Sequence, residues 1–168
     1  MRADIAARTL KIIAGIQLAG GVLGAVLVAV LIPKLAVQAN VSALSLLPWL
    51  VPPFALSLLA GALLWRGGSV GEILSLINLC LQIPVLATSF LSYFFNSGVA
   101  LRVWLSSDGP GWFLFLGSQF HINFRPTAPG VLVGVNVVAL LLLVLLIRAM
   151  PEDVAATTTP DSRVAHSA

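Results

Sequence analysis

Four runs of about twenty residues, each nearly free of charge, dominate this chain: Ile12 to Ile32, Ser45 to Trp65, Val70 to Phe95 and Pro129 to Ile147. At a rise of about 1.5 Å per residue, twenty helical residues match a bilayer core of roughly 30 Å. The chain has 168 residues, 59% of them hydrophobic and 9% charged, where an ordinary soluble domain carries about 25% charge. A soluble fold of this length lacks the polar surface to cover so much apolar side chain. The predicted fold class is an all-α integral membrane protein. It is a four-helix transmembrane bundle over residues 1–149, with helices at about 12–32, 45–65, 70–95 and 129–147.

The flanks of the blocks fit that reading. Arg2, Arg8 and Lys11 precede the first block, and Pro33 and Lys34 close it. Its apolar run exceeds the usual signal-peptide core of about 7 to 15 residues, so "VQA" before Asn40 is not read as a cleavage site. Pro48, Trp49, Pro52 and Pro53 suit the start of the second block, and Arg66-Gly67-Gly68 ends it. Arg2, Arg8, Lys11, Arg66 and Arg148 then lie on one side, against Lys34, Arg102 and Arg125 on the other. By the positive-inside rule both termini are cytoplasmic, in a plasma (inner) membrane. The tail over 150–168 is rich in Thr, Pro, Asp and Ser and is expected to be disordered.

Segment 96–127 is expected to form a small extracytoplasmic β-hairpin between the third and fourth helices. "SSDGPG" at Ser106 to Gly111 is a turn signal, and in "QFHINFR" apolar Phe120, Ile122 and Phe124 alternate with His121, Asn123 and Arg125. A turn at Gly117-Ser118 would suit type II′ geometry and set Phe115 opposite Phe120, with Val99 to Leu105 available as a third strand.

The third block contains "INLCLQIPVL", which places Asn78, Gln82 and Pro84 inside an apolar run. Wound as a helix, it puts Ser75, Asn78, Gln82, Ser89, Ser92, Tyr93 and Asn96 on one stripe, while Pro84 bends the helix by freeing the Cys80 carbonyl. The first block offers Gln17, Gly20, Gly21 and Gly24 on a matching face, with Gly20 and Gly24 as a G-x-x-x-G pair. Ser57 and Gly61, and Gly130, Gly134 and Asn136, repeat the small or polar spacing. Counted from the inner ends, Gln17 lies about 9 Å deep, Ser57 and Asn78 about 12 Å, Asn136 about 16 Å and Gln82 about 18 Å. The five form a candidate polar layer of interhelical hydrogen bonds.

Ser69-Val70-Gly71-Glu72 has the spacing of a capping box, so Ser69 and Glu72 read as a helix cap at the membrane surface. Cys80 reads as a buried structural thiol. His121 has no serine, cysteine or acid at an identifying spacing and reads as an exposed strand residue. The chain has no H-E-x-x-H, G-x-S-x-G, phosphate-cradling glycine loop or paired carboxylates, and its scattered basic residues form no nucleic-acid patch. No cofactor or metal site is expected. The expected role is a non-enzymatic accessory or scaffold component whose partners are the lipid bilayer and a second copy or another membrane protein. The alternatives are an oligomeric channel or carrier subunit with a polar path along the third helix, and a membrane enzyme with an outer-face site near His121.

Overall fold

The computed structural model describes residues 2–37, 47–124 and 130–150. Helix α1 covers Arg2–Val37, α2 Leu47–Arg66 and α3 Ser69–Gln82. Strands β1 (Pro84–Ala87), β2 (Leu91–Ser106), β3 (Gly109–Phe124) and β4 (Leu132–Asn136) follow, and α4 (Val137–Ala149) closes the order. The predicted start of the fourth block at Pro129, and the tail over 151–168, lie outside the described residues.

The all-α transmembrane bundle is thereby corrected: the described residues form four helices joined to a curled four-stranded antiparallel sheet. Among the described residues only α1 holds a stretch, Asp4–Pro33, long and apolar enough to cross a membrane. Helices α3 and α4 extend only about 21 and 20 Å, and the apolar part of α2 is Val51–Arg66. The third block fails as one helix because Pro84 ends α3 outright. The last helical turn closes with the Ile83 amide donating to the Cys80 carbonyl at 3.4 Å, and Pro84 opens β1 in place of a bent helix. The fourth block divides similarly, with β4 occupying its first part.

Strands β2 and β3 form one long hairpin. It turns at Ser107-Asp108, where the Ser106 hydroxyl donates to the Gly109 carbonyl at 3.0 Å. Gly117 is not a turn residue but lies mid-strand opposite Gly98, so Phe120 faces Phe95 and Phe115 faces Ala100.

The pairing of the shorter strands bends this ribbon double. β1 is antiparallel to β2 at Ser92, Tyr93 and Phe94, β4 is antiparallel to β1, and β2 is antiparallel to β4 from Arg102 to Ser106. Three successive reversals leave the two stretches of β2 antiparallel to each other. The ribbon therefore folds back between Phe94 and Arg102. Gly98 at φ 100° and Gly117 at φ 139° sit side by side at the fold, in a region of backbone space open to glycine.

Helices and ribbon meet through close approaches. Gly21 and Gly24 of α1 lie against Leu58 and Phe54 of α2, while Gly20 faces Ser97 at the ribbon apex. Ile13, Ala14, Leu64, Leu79, Leu142 and Leu146 form the core among the helices. Val28, Phe54 and Phe95 form a second core between helices and ribbon, with the Phe54 and Phe95 rings edge to face at 5.8 Å.

Candidate functional site

Helix gives way to strand at one level of the molecule, after Gln82 in one direction and before Asn136 in the other. Backbone groups at such a switch lose their regular partners, and side chains must supply them. The Asn136 amide donates to the Ile83 carbonyl at 2.8 Å, and its side-chain oxygen accepts from the Ala139 amide at 3.4 Å, capping α4. Between its two paired stretches β2 faces helices in place of a strand. There the Gln82 Oε1 accepts from the Ser97 amide at 2.9 Å.

Ser57 is the hub of this junction. Its hydroxyl donates to the Gln17 carbonyl at 3.2 Å, shares a 2.7 Å bond with the Ser97 hydroxyl, and receives the Asn78 Nδ2 at 3.3 Å. The Ser75 hydroxyl donates to Gln17 Oε1 at 3.0 Å, and that of Ser118 to the Gly20 carbonyl. The structure thus brings Gln17, Ser57 and Asn78 into one bonded group, with Gln82 joined through Ser97. Asn136 stands beside it at the strand-to-helix switch. The Gln17 Nε2, Asn78 Oδ1 and Asn136 Nδ2 atoms are buried with no partner among the described residues.

A second buried polar cluster lies inside the folded ribbon. Arg102 is only 9% exposed. Its Nη2 donates to Asn96 Oδ1 and to Gln119 Oε1, the latter at 3.1 Å. Asn96 is itself held by a 3.1 Å bond from its Nδ2 to the Gly117 carbonyl at the fold. The Phe94 ring lies 4.3 Å from the guanidinium carbon and that of Phe115 lies 5.8 Å away, while His121 stacks on Phe94 with centroids 4.9 Å apart. Desolvation by burial lowers the Arg102 pKa from its ordinary value and raises that of Tyr93, whose hydroxyl donates to the Leu81 carbonyl at 2.7 Å. A cavity of about 220 Å³ opens beside Arg102, lined also by Ser92, Val85, Trp104, Phe113 and Leu132.

The remaining sequence-predicted residues fall elsewhere. Gly68 takes the N-cap position of α3, which shifts Ser69 into the helix, and no side chain makes a capping bond. The capping box is not formed, because Glu72 stands one position too late for its reciprocal bond; its amide donates to the Gly68 carbonyl at 3.3 Å. Cys80 is exposed, not buried. Of the predicted stripe beyond Gln82, Ser92 and Asn96 are buried from a strand and not a helix, and Ser89 is exposed. His121 is partly buried against Phe94 and not an open surface residue.

Sequence reasoning placed Arg102 among the flanking charges and missed its burial. A signal was present: Arg102 is the sole charged residue between Glu72 and Asp108. No protein-family model, curated protein or solved structure matches this chain. Among the described residues no group of three or more His, Cys, Asp and Glu side chains could hold a metal ion.

Proposed function

We propose that this protein is a non-enzymatic accessory or scaffold component that works at a lipid bilayer, held there by α1. One observation carries the reading: beside its apolar cores the fold buries a layer of polar side chains, while large apolar side chains are exposed over much of its surface. Gln17, Ser57, Ser75, Asn78, Asn96 and Asn136 are buried, while Leu23, Val26, Trp65, Trp112, Leu116 and Phe124 are exposed on helices and ribbon alike. An apolar surface this widespread is stable against lipid or an apolar partner. The junction layer favours a scaffold over a carrier, because its groups are turned toward one another and Gln17, Ser57, Ser75 and Asn78 are each at most 1% exposed.

Membrane fractionation tests the proposal. The protein should stay in the pellet through an alkaline wash and retain the peptides of α1 on mass spectrometry. Release into the wash, or a mature chain found free in solution without α1, would overturn it.

A further inference from the structure

We propose that the cavity inside the folded ribbon binds an anionic amphiphile, its carboxylate or phosphate head seated on Arg102 and its apolar body along the cavity wall. The inference is independent of where the protein resides. It starts from an imbalance of charge. A buried cation is costly unless an anion or a full set of hydrogen bonds compensates it, and among the described residues Arg102 has neither. Both of its side-chain acceptors are neutral carboxamide oxygens, and both use the same nitrogen, Nη2. Nη1 and Nε make no hydrogen bond to any described residue. These donors belong to the fork that receives a carboxylate or phosphate in bidentate fashion.

The surroundings give that anion its apolar body. Beside Arg102 the cavity wall is built from Val85, Phe94, Trp104, Phe113 and Leu132, with Ser92 as a further polar group. A second cavity, of about 460 Å³, shares Ala87, Trp104 and Leu132 with the first and reaches Ser107 and Asp108 at the hairpin turn. The two cavities share these walls between the hairpin turn and the guanidinium. Asn96, tied to Gly117 at the fold, and Gln119 hold the Arg102 head in place without neutralising it.

The test uses the full chain in neutral maltoside micelles, with octanoate, octyl phosphate, octanol and inorganic phosphate as probes. Melting temperature and the fluorescence of Trp104 report binding. Octanoate or octyl phosphate should raise the melting temperature saturably, and octanol should not. Octanoate acting alone identifies a carboxylate source and octyl phosphate alone a phosphate-ester lipid, whereas equal action by inorganic phosphate would show that no apolar body is bound and would overturn the proposal. Arg102→Gln should weaken binding by about tenfold or more, as expected for a charge-assisted bond, and Arg102→Lys should recover part of it. Ala87→Phe, which places a ring in the lining shared by both cavities and leaves Arg102 in place, should block the octyl probes even where Arg102→Gln fails to fold. No response to any anion, an octanol response equal to that of octanoate, or undiminished binding in Ala87→Phe would overturn the proposal.

Discussion

At the junction, the Ser57 hydroxyl serves Gln17, Ser97 and Asn78 at once, and Gln82 completes the backbone of β2. Inside the ribbon, Arg102 directs a single nitrogen to two neutral oxygens and leaves the rest of its fork open. Both regions bury polar atoms beside apolar cores, but the first exchanges bonds among neutral groups and the second confines a cation. The neutral network gains a small net amount per bond, although Gln17 Nε2, Asn78 Oδ1 and Asn136 Nδ2 have no partner among the described residues, whereas a buried charge keeps its desolvation cost until an anion meets it. The junction is therefore the part that holds the fold together. The ribbon interior is the part left free to bind.

The largest effect should come from lifting the ribbon apex off its seat. A Cβ at position 20 would lie 2.3 Å from the Ser97 carbonyl carbon, too near for side-chain movement to relieve. Gly20→Leu should cost about 3 kcal/mol or more in chemical unfolding. It should also loosen the Arg102 pocket, since Ser97 and Asn96 are adjacent. Wild-type stability in that variant would mean that the two regions are not joined at the apex.

Gln82→Leu comes next. It leaves the Ser97 amide buried with no acceptor, which costs about 2 kcal/mol, measured as a drop in unfolding free energy. A loss far smaller would show that the β2 edge finds another acceptor and that the junction does not close the ribbon.

The junction was legible in the sequence because a helical winding is valid for the residues that are helical. Gln17, Ser57, Ser75, Asn78 and Gln82 all precede Pro84, and depth counted along helices brings them to one level. The ribbon was hidden by two features. Pro84 can either bend a helix or end it, and only the pairing of β1 with Val135 and Phe94 distinguishes these outcomes. In the first part of β2, moreover, both faces are covered: Tyr93, Phe95 and Ser97 lie toward the helices, and Phe94 and Asn96 toward the ribbon interior, while Val103 and Leu105 further along are exposed although apolar. Strict apolar and polar alternation, the usual mark of a strand, is lost when neither face meets water. The hairpin turn was visible as "SSDGPG", but Gly117-Ser118 offered a competing turn whose glycine serves the fold of the ribbon instead.

Asn136, beside the junction at the strand-to-helix switch, comes next in expected effect. Asn136→Ala removes the cap of α4 but keeps the backbone bond to Ile83, so the expected loss is about 1 kcal/mol. Amide exchange should rise at Ala139 and stay unchanged across β1 and β4. Exchange spreading through the ribbon would show that the cap supports the sheet as well as the helix.

The smallest effect is expected at Asn78, one helical turn before Gln82 and on the same stripe. Its Nδ2 reaches Ser57 at 3.3 Å, the longest of the three bonds to that hydroxyl, and its Oδ1 has no partner among the described residues. Asn78→Leu removes one weak bond together with one buried unpaired acceptor, and Ser57 keeps Gln17 and Ser97. The two changes oppose each other, leaving a loss of about 0.6 kcal/mol or less. Two carboxamides four residues apart should thus differ severalfold in cost, because one completes a backbone and the other decorates a side-chain cluster. Equal costs for Asn78→Leu and Gln82→Leu would break the comparison: they would mean that the Asn78 oxygen has a partner from outside the chain, and that the junction is open to solvent or ligand as the ribbon interior is.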